Sequence, residues 1–255
     1  RLPAWAVTHP VPENRLAHTQ QMLDSAHADY AALTWDREPY LRQLDGMVYG
    51  DDPREGYFDG QAFYHPDLKF QVVFPAGWRT NNGFSAVTGL AEKQDGLLQL
   101  ELAGTEPIAT PLQTFLAQQG VTAGATSNAA VNGLPAASAQ FGAQLEKGPV
   151  RGYITFITYG GRNYRLMAIA TDAQFAAYDA PMRSWVRSFR PLTDAARINV
   201  KPTRIKIVKL GGPMTVTAFN ARYPSVIPVD RVALLNGVAP DATFPAGKLV
   251  KQVVK

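Results

Sequence analysis

The four histidines are the first residues to weigh, because a chain with no cysteine has no thiolate to offer a metal or a substrate. They are His9, His18, His27 and His65. A zinc hydrolase of the His-Glu-x-x-His kind sets two imidazoles four residues apart on one helix face, with a glutamate beside the first to act on the metal-bound water. No such string occurs. His18 and His27 fall on one predicted helix, but their nine-residue separation is about 13.5 Å of rise, too long to share a zinc ion. His65-Pro66-Asp67 places a base beside a carboxylate with no nucleophile in the neighbourhood, and reads as a turn. Asp51-Asp52 with Glu55 lacks the alternation of a calcium loop, is interrupted by Pro53, and reads as a solvated loop. Gly160-Gly161 is followed by a strand pattern rather than a helix, so it is no phosphate cradle. Taken alone, the chain is expected to be non-catalytic and to hold no metal or cofactor.

Composition narrows the classes further. The 255 residues are 46% hydrophobic and 18% charged, as in a globular chain of one large domain or two to three small ones. No apolar run is long enough to predict a membrane-spanning helix. The net charge of +4 is spread thinly, with no Lys/Arg block dense enough to follow a phosphate backbone, which argues against nucleic acid. The first residue is Arg1 and no signal-peptide pattern follows, so a processed product or a shortened piece is expected.

Three segments emerge in the order 1–45, 46–193 and 194–255. In the first, Thr8-His9-Pro10-Val11-Pro12 forbids a helix before Pro12, which itself suits a first helical turn. Leu16, Leu23, Ala26 or His27, and Tyr30 then recur at helical spacing and predict one amphipathic helix of about 16 to 20 residues. Thr34 to Pro39 breaks it, and Tyr40 to Leu44 reads as a short second helix stopped by Gly46. Such small helices need another surface to cover their apolar face.

The second segment predicts an antiparallel sheet with flanking helices, class α+β. Phe63 to Phe74 reads as two strands around the His-Pro-Asp turn, and Leu97 to Leu102 as a half-buried strand. Thr110 is placed as the N-cap of a helix that Gly120 ends. A Gly/Ala/Asn-rich loop follows. Ala137–Leu145, Val150–Tyr159 and Arg162–Ala170 read as strands, the last two joined through Gly160-Gly161, where both positions tolerate positive φ. Phe175, Tyr178, Met182, Trp185 and Phe189 follow at three-four spacing, with Thr171 and Gln174 as a capping box and Pro181 predicting a kink or a split. Phe63, Phe70, Phe74, Trp78, Phe156, Met182, Trp185 and Phe189 are expected to share one core. The third segment reads as a linker, a strand over Arg204–Lys209, helices over Pro213–Arg222 and Val229–Leu235 with Asn236-Gly237 as the stop, and a strand over Thr243–Val250.

Three stretches resemble known families. Thr8-His9-Pro10 leading to Pro12-Glu13-Asn14-Arg15-Leu16 resembles the segment that closes the catalytic domain in zinc metallopeptidases of family forty-eight, the CAAX prenyl protease and HtpX-like gluzincins. The Phe63 to Phe70 hairpin, Pro75-Ala76-Gly77-Trp78 and a terminal helix ending in Ser188-Phe189-Arg190 look like the α/β/α sandwich of the PsbP and Mog1p proteins, and also like the C-terminal extension of periplasmic members of that peptidase family. The βααβ order of the third segment, with Leu235-Asn236-Gly237 and Pro245-x-Gly247, resembles the LysM peptidoglycan-binding module, although its usual Gly-Asp-Thr is here Gly212-Pro213-Met214-Thr215.

These resemblances imply the non-catalytic C-terminal part of a periplasmic zinc metallopeptidase, with zinc held in a preceding protease domain, positioning substrates or partner proteins. The alternative they imply is a stand-alone cell-wall or protein-binding module whose glycan groove is bordered by Gly212, Thr215, Asn236 and Gly237. The resemblance also implies that His9 approaches the parent's zinc as a regulatory ligand; read from its neighbours alone, His9 is a turn histidine. Replacing His9 by Ala in the full-length parent distinguishes these, since a regulatory ligand predicts altered peptidase activity and a turn histidine predicts none.

Overall fold

The computed structural model describes residues 12–26, 37–145 and 148–255. His9, His27, Tyr30 and the Thr34–Asp36 part of the predicted helix break lie outside the described residues. Helix α1 spans Pro12–Ser25, beginning at the proline that suits a first turn and running 14 residues, somewhat shorter than its periodicity suggests. Leu16 and Met22 on it are 73% and 59% exposed. Helix α2, Arg37–Gln43, ends before Gly46, whose φ of 83° is the left-handed conformation that stops helices cheaply at glycine.

Among the described residues, the middle of the chain supplies eleven strands and two helices. Strands β1 (Tyr57–Asp59), β2 (Ala62–His65) and β3 (Phe70–Val73) form an antiparallel meander. They are followed by β4 (Arg79–Asn82), β5 (Val87–Leu90), β6 (Gly96–Leu102), α3 (Ala109–Leu116) and β7 (Val121–Ser127). Next come β8 (Ala136–Leu145), β9 (Gly148–Tyr159), β10 (Arg162–Thr171), α4 (Phe175–Ser188) and β11 (Arg190–Pro191). The small sheet has the order β1-β2-β3-β11 and the large one β4-β5-β6-β10-β9-β8-β7. The β9–β10 hairpin turns at Gly160 and Gly161, with φ of 58° and 74°, a pair of positive values that side-chain-bearing residues rarely adopt.

Both faces of the large sheet are covered, giving an α+β architecture in layers. On one face α4 and the small sheet enclose Phe63, Phe70, Phe74, Trp78, Met182, Trp185 and Phe189. On the other, α3 brings Leu112 against Ala137, Ala139, Phe141, Ile154 and Phe156. Phe156 is therefore not in the core with the other seven aromatic and methionine residues predicted to share it. Side chains alternate across a strand, so Phe156 points with Ile154 to the α3 face while Ile157 joins the other core.

Three local expectations change for identifiable reasons. Thr110 is not the cap of α3: the helix starts at Ala109 after Ile108, which offers no side-chain cap. The Thr171–Gln174 capping box does not form, because Thr171 is the last residue of β10 and meets Gln174 through its carbonyl, at 2.9 Å from the Gln174 N–H. Pro181 is accommodated inside one continuous α4 rather than splitting it.

Beyond the large sheet, helix α5 (Ala195–Ile198) is capped by Asp194 and holds Arg197 against Asp59 at 2.6 Å and over the Tyr64 ring. Strand β12 (Arg204–Lys209) follows, then β13 (Met214–Thr215), α6 (Val216–Arg222), α7 (Val229–Leu235), β14 (Thr243–Phe244) and β15 (Leu249–Val254). The predicted helix loses Pro213–Thr215 and the predicted final strand is cut in two for one reason: Met214 and Thr215 pair with Phe244 and Thr243. β12 pairs antiparallel with β15, and Val216, Phe219, Val232, Phe244 and Val250 are the fully buried centre of this small core.

The N-terminal stretch enters this last unit. Residues 45–49 lie beside β12, with Val48 in an isolated antiparallel bridge to Arg204: Gly46 and Tyr49 N–H groups donate to Ile205 and Thr203 carbonyls at 2.8 Å, and Ile205 N–H donates back to Met47. Asp45 accepts from Ile207 N–H at 2.8 Å. The start of the middle segment is thus hydrogen-bonded to the start of the last one.

Gly152 of β9 tests the sheet packing, since a Cβ there would sit 2.1 Å from the Ala168 carbonyl oxygen. Gly152→Ala is expected to lower stability by about 2–3 kcal/mol, read as a lower urea midpoint at unchanged slope.

Candidate functional site

Helix α4 divides its residues between two tasks. Phe175, Met182, Trp185 and Val186 turn into the core. Asp179, Arg183 and Arg187, four apart, form a row along one side, as i, i+4 spacing requires. Arg183 and Arg187 of that row border a cavity of about 410 Å³ on the large sheet, between α4 and the outermost strand β7. Its floor is built from cross-strand pairs, Ser138 opposite Thr155 and Gln140 opposite Tyr153, all on the face that α4 only partly covers. The far wall is Ala125 to Ser127 of β7 and the loop Ala129 to Val131. β7 slips register between Ala123 and Thr126, and Gly124 lies in that stretch, where a Cβ would press on the Gln140 carbonyl at 2.9 Å. Asn132, at φ 50°, ties the loop to the helix by donating its amide to the carbonyls of Arg187 and Phe189 at 2.7 and 2.8 Å.

Three polar groups lock together at one end of the cleft. The Tyr153 hydroxyl donates to Asp179 in a short hydrogen bond, and Arg183 Nη2 donates to the same hydroxyl at 2.6 Å. Arg183 Nε reaches the two Asp179 oxygens at 2.9 and 3.1 Å, and its guanidinium carbon lies 4.8 Å from the centre of the Tyr153 ring. Burial, followed by the Asp179 hydrogen bond, pushes the Tyr153 hydroxyl up to about 12. The same hydrogen bond holds the Asp179 carboxyl below its ordinary value, and Asp179 in turn raises Arg183. The arrangement fixes an arginine in place and keeps it charged, which suits recognition of an anion.

The described residues nominated from the sequence are placed elsewhere. His9 lies outside the described residues, and His18 is exposed on α1. His65 closes its own turn: Nδ1 accepts from Leu68 N–H at 3.2 Å, and burial holds its pKa below the usual histidine value. A groove of about 750 Å³ adjoins it, lined by Asp51, Asp52, Glu55, Asp67 and the fully exposed Phe84. Asp52 there caps the short 3₁₀ turn Pro53–Glu55 by accepting from Arg54 N–H. Among the described residues, no group of three His, Asp or Glu side chains is placed to hold a metal ion, and no helix is long and apolar enough to cross a membrane.

In the last unit, Gly212 is half-buried and Thr215 is exposed, its hydroxyl accepting from Ala218 N–H at 3.1 Å as the cap of α6. Asn236 is buried and staples α7 to β15. Its amide donates to the Val232 and Lys251 carbonyls at 2.9 Å, and its oxygen accepts from Lys251 N–H at 2.8 Å. Gly237, at φ 66°, ends α7 and is exposed. Thr215 and Asn236 thus spend their polar atoms on the fold. The cleft residues escaped notice in the sequence; the Asp179-Arg183-Arg187 spacing was the available signal, whereas nothing local marks Tyr153 as their partner.

No protein-family model matches the chain, and no curated protein matches it. Among solved structures it is similar to the cyanobacterial PsbP protein CyanoP from Synechocystis sp. PCC 6803, at 9% identity over 51% of this chain and 91% of that one, with a TM-score of 0.41. It is also similar to LpqN, described as involved in cell envelope biogenesis of Mycobacterium tuberculosis, at 14% identity over 63% of this chain and 99% of that one, with a TM-score of 0.39.

The lock has a spectroscopic signature. Tyr153 and Tyr164, the latter raised chiefly by burial, both ionise near pH 12. Because these folded values lie above the ordinary value of 10, their contribution to stability is complete below pH 10 and is lost as pH rises through about 12. In an ultraviolet phenolate titration, Tyr153→Phe should remove one of these late ionisations and leave that of Tyr164; an unchanged titration curve would contradict the assignment.

Proposed function

We propose that this chain is the non-catalytic C-terminal part of a cell-envelope zinc metallopeptidase and that it positions substrate or partner proteins for a protease domain that precedes it. The observation that carries this reading is the hydrogen-bonded contact of residues 45–49 with β12, held by side chains at both ends. It holds the βααβ unit beside the point where α2 enters, and Leu41 of α2 is itself buried next to Pro245 and Leu249. A unit anchored there lies against α2. The exposed Leu16 and Met22 of α1 and the family-forty-eight resemblance of Thr8 to Leu16 support a protease domain as that neighbour. Zinc belongs to that domain in this reading, and the periplasm is the expected compartment.

A second reading, a free-standing LysM-like module for cell wall or protein binding, is favoured by the βααβ order with β12 paired to β15.

One experiment separates them. In the complete gene product, Asp45→Ala combined with Thr203→Val removes two side-chain anchors between residues 45–49 and β12. The positioning role predicts bound zinc, unchanged hydrolysis of a short unstructured peptide, and several-fold slower cleavage of folded envelope proteins. A complete product that carries no zinc and is retained on purified peptidoglycan would overturn it in favour of the second reading.

A further inference from the structure

The cleft beside α4 has unspent recognition capacity. Arg183 uses Nε and Nη2 in the lock with Asp179 and Tyr153, leaving Nη1 with no acceptor among the described residues. Arg187 uses Nε on the Arg183 carbonyl at 3.2 Å, leaving both terminal nitrogens of its exposed guanidinium without an acceptor there. Asp179 neutralises one of the two cations, so the row keeps one net positive charge. Directly across the cavity stands β7, last in the sheet order and exposed from Thr122 to Ser127. An outermost strand offers a ladder of backbone N–H and C=O groups to any extended chain laid along it.

We infer that this cleft binds an extended acidic peptide segment, whose backbone pairs along the open edge of β7 and whose carboxylate sits on the unspent N–H groups of Arg183 and Arg187. Six exposed strand residues offer about 20 Å of edge, enough for a specific register. The small, exposed side chains of Ala129 and Ala130 leave room for a short peptide side chain over the floor. A saccharide is disfavoured because, among the described residues, Tyr153 is the one aromatic lining the cavity and Arg183 already covers its ring. This deepens the positioning role proposed above and rests on it for its purpose, since a protease accessory part must hold polypeptide.

The test uses this chain alone, without zinc or the parent, so its failure is distinguishable from failure of the parent assignment. A short fluorescein-labelled peptide of alternating valine and threonine, ending in glutamates with a free C-terminus, is titrated by anisotropy beside its glutamine, amidated counterpart. The acidic peptide should bind at least about tenfold more tightly, Arg187→Gln should weaken it by about tenfold at unchanged melting temperature, and added salt should weaken it further. Amide chemical shifts should move along Thr122–Ser127 and in the last turn of α4. Equal or absent binding of the two peptides, shifts confined to other surfaces, or a preference for soluble peptidoglycan fragments or phosphatidylglycerol vesicles over the acidic peptide would overturn the inference.

Discussion

Phe70, Tyr164 and Phe189 meet ring to ring, with centroids 5.0, 5.2 and 5.1 Å apart, and everything else in the middle of the molecule depends on that contact. Phe70 belongs to the small sheet, Tyr164 to β10 of the large one, and Phe189 follows the last turn of α4. Three buried aromatics in mutual contact contribute on the order of 1 kcal/mol per pair beyond the burial of their area. The contact therefore joins two sheets and a helix that share no continuous ladder. Ser188 reinforces it from the next position, its hydroxyl accepting from Val73 N–H at 2.8 Å and donating to the Trp185 carbonyl at 2.6 Å.

Fixing the end of α4 fixes the cleft. With Trp185 packed on Phe74 and Phe189 on Phe70, the helix can rotate neither way, and its Asp179-Arg183-Arg187 row must overhang the sheet. Asn132 then reads the helix terminus directly, so the loop forming the far wall is set by the same anchor. The aromatic contact thus determines where the positive charge stands relative to the free strand edge. The βααβ unit is attached by other means, backbone pairing with residues 45–49 and the hold of Arg197 on Asp59 and Tyr64.

Much of this order is legible in the residues, and the exceptions have physical causes. The β9–β10 hairpin follows from Gly160-Gly161, and α7 occupies Val229–Leu235 with its stop at Asn236-Gly237, because in each case the local chemistry permits one conformation. Strand β7 is hidden in a Gly/Ala/Asn-rich stretch: an edge strand exposed on both faces has no alternation to display. The β4–β5 hairpin is hidden likewise, Arg79 to Asn82 being polar throughout. Phe156 misleads for the opposite reason, since Ile154, Thr155, Phe156 and Ile157 are all buried and a strand covered on both faces shows no period. The cleft is the least legible part. Tyr153 and Asp179 lie on different elements that only the tertiary fold brings together, and neither described histidine, His18 or His65, lines it.

The role we propose for this chain is to hold polypeptide for a zinc protease domain. Cross-linking mass spectrometry on the complete gene product, with its catalytic glutamate replaced so that substrate is held uncut, tests it most directly. The account predicts stoichiometric zinc and cross-links from the trapped substrate to Ser127–Val131 and to the Arg183–Arg187 side of α4. Absence of zinc, or trapped substrate linked only to surfaces remote from this cleft, would contradict it.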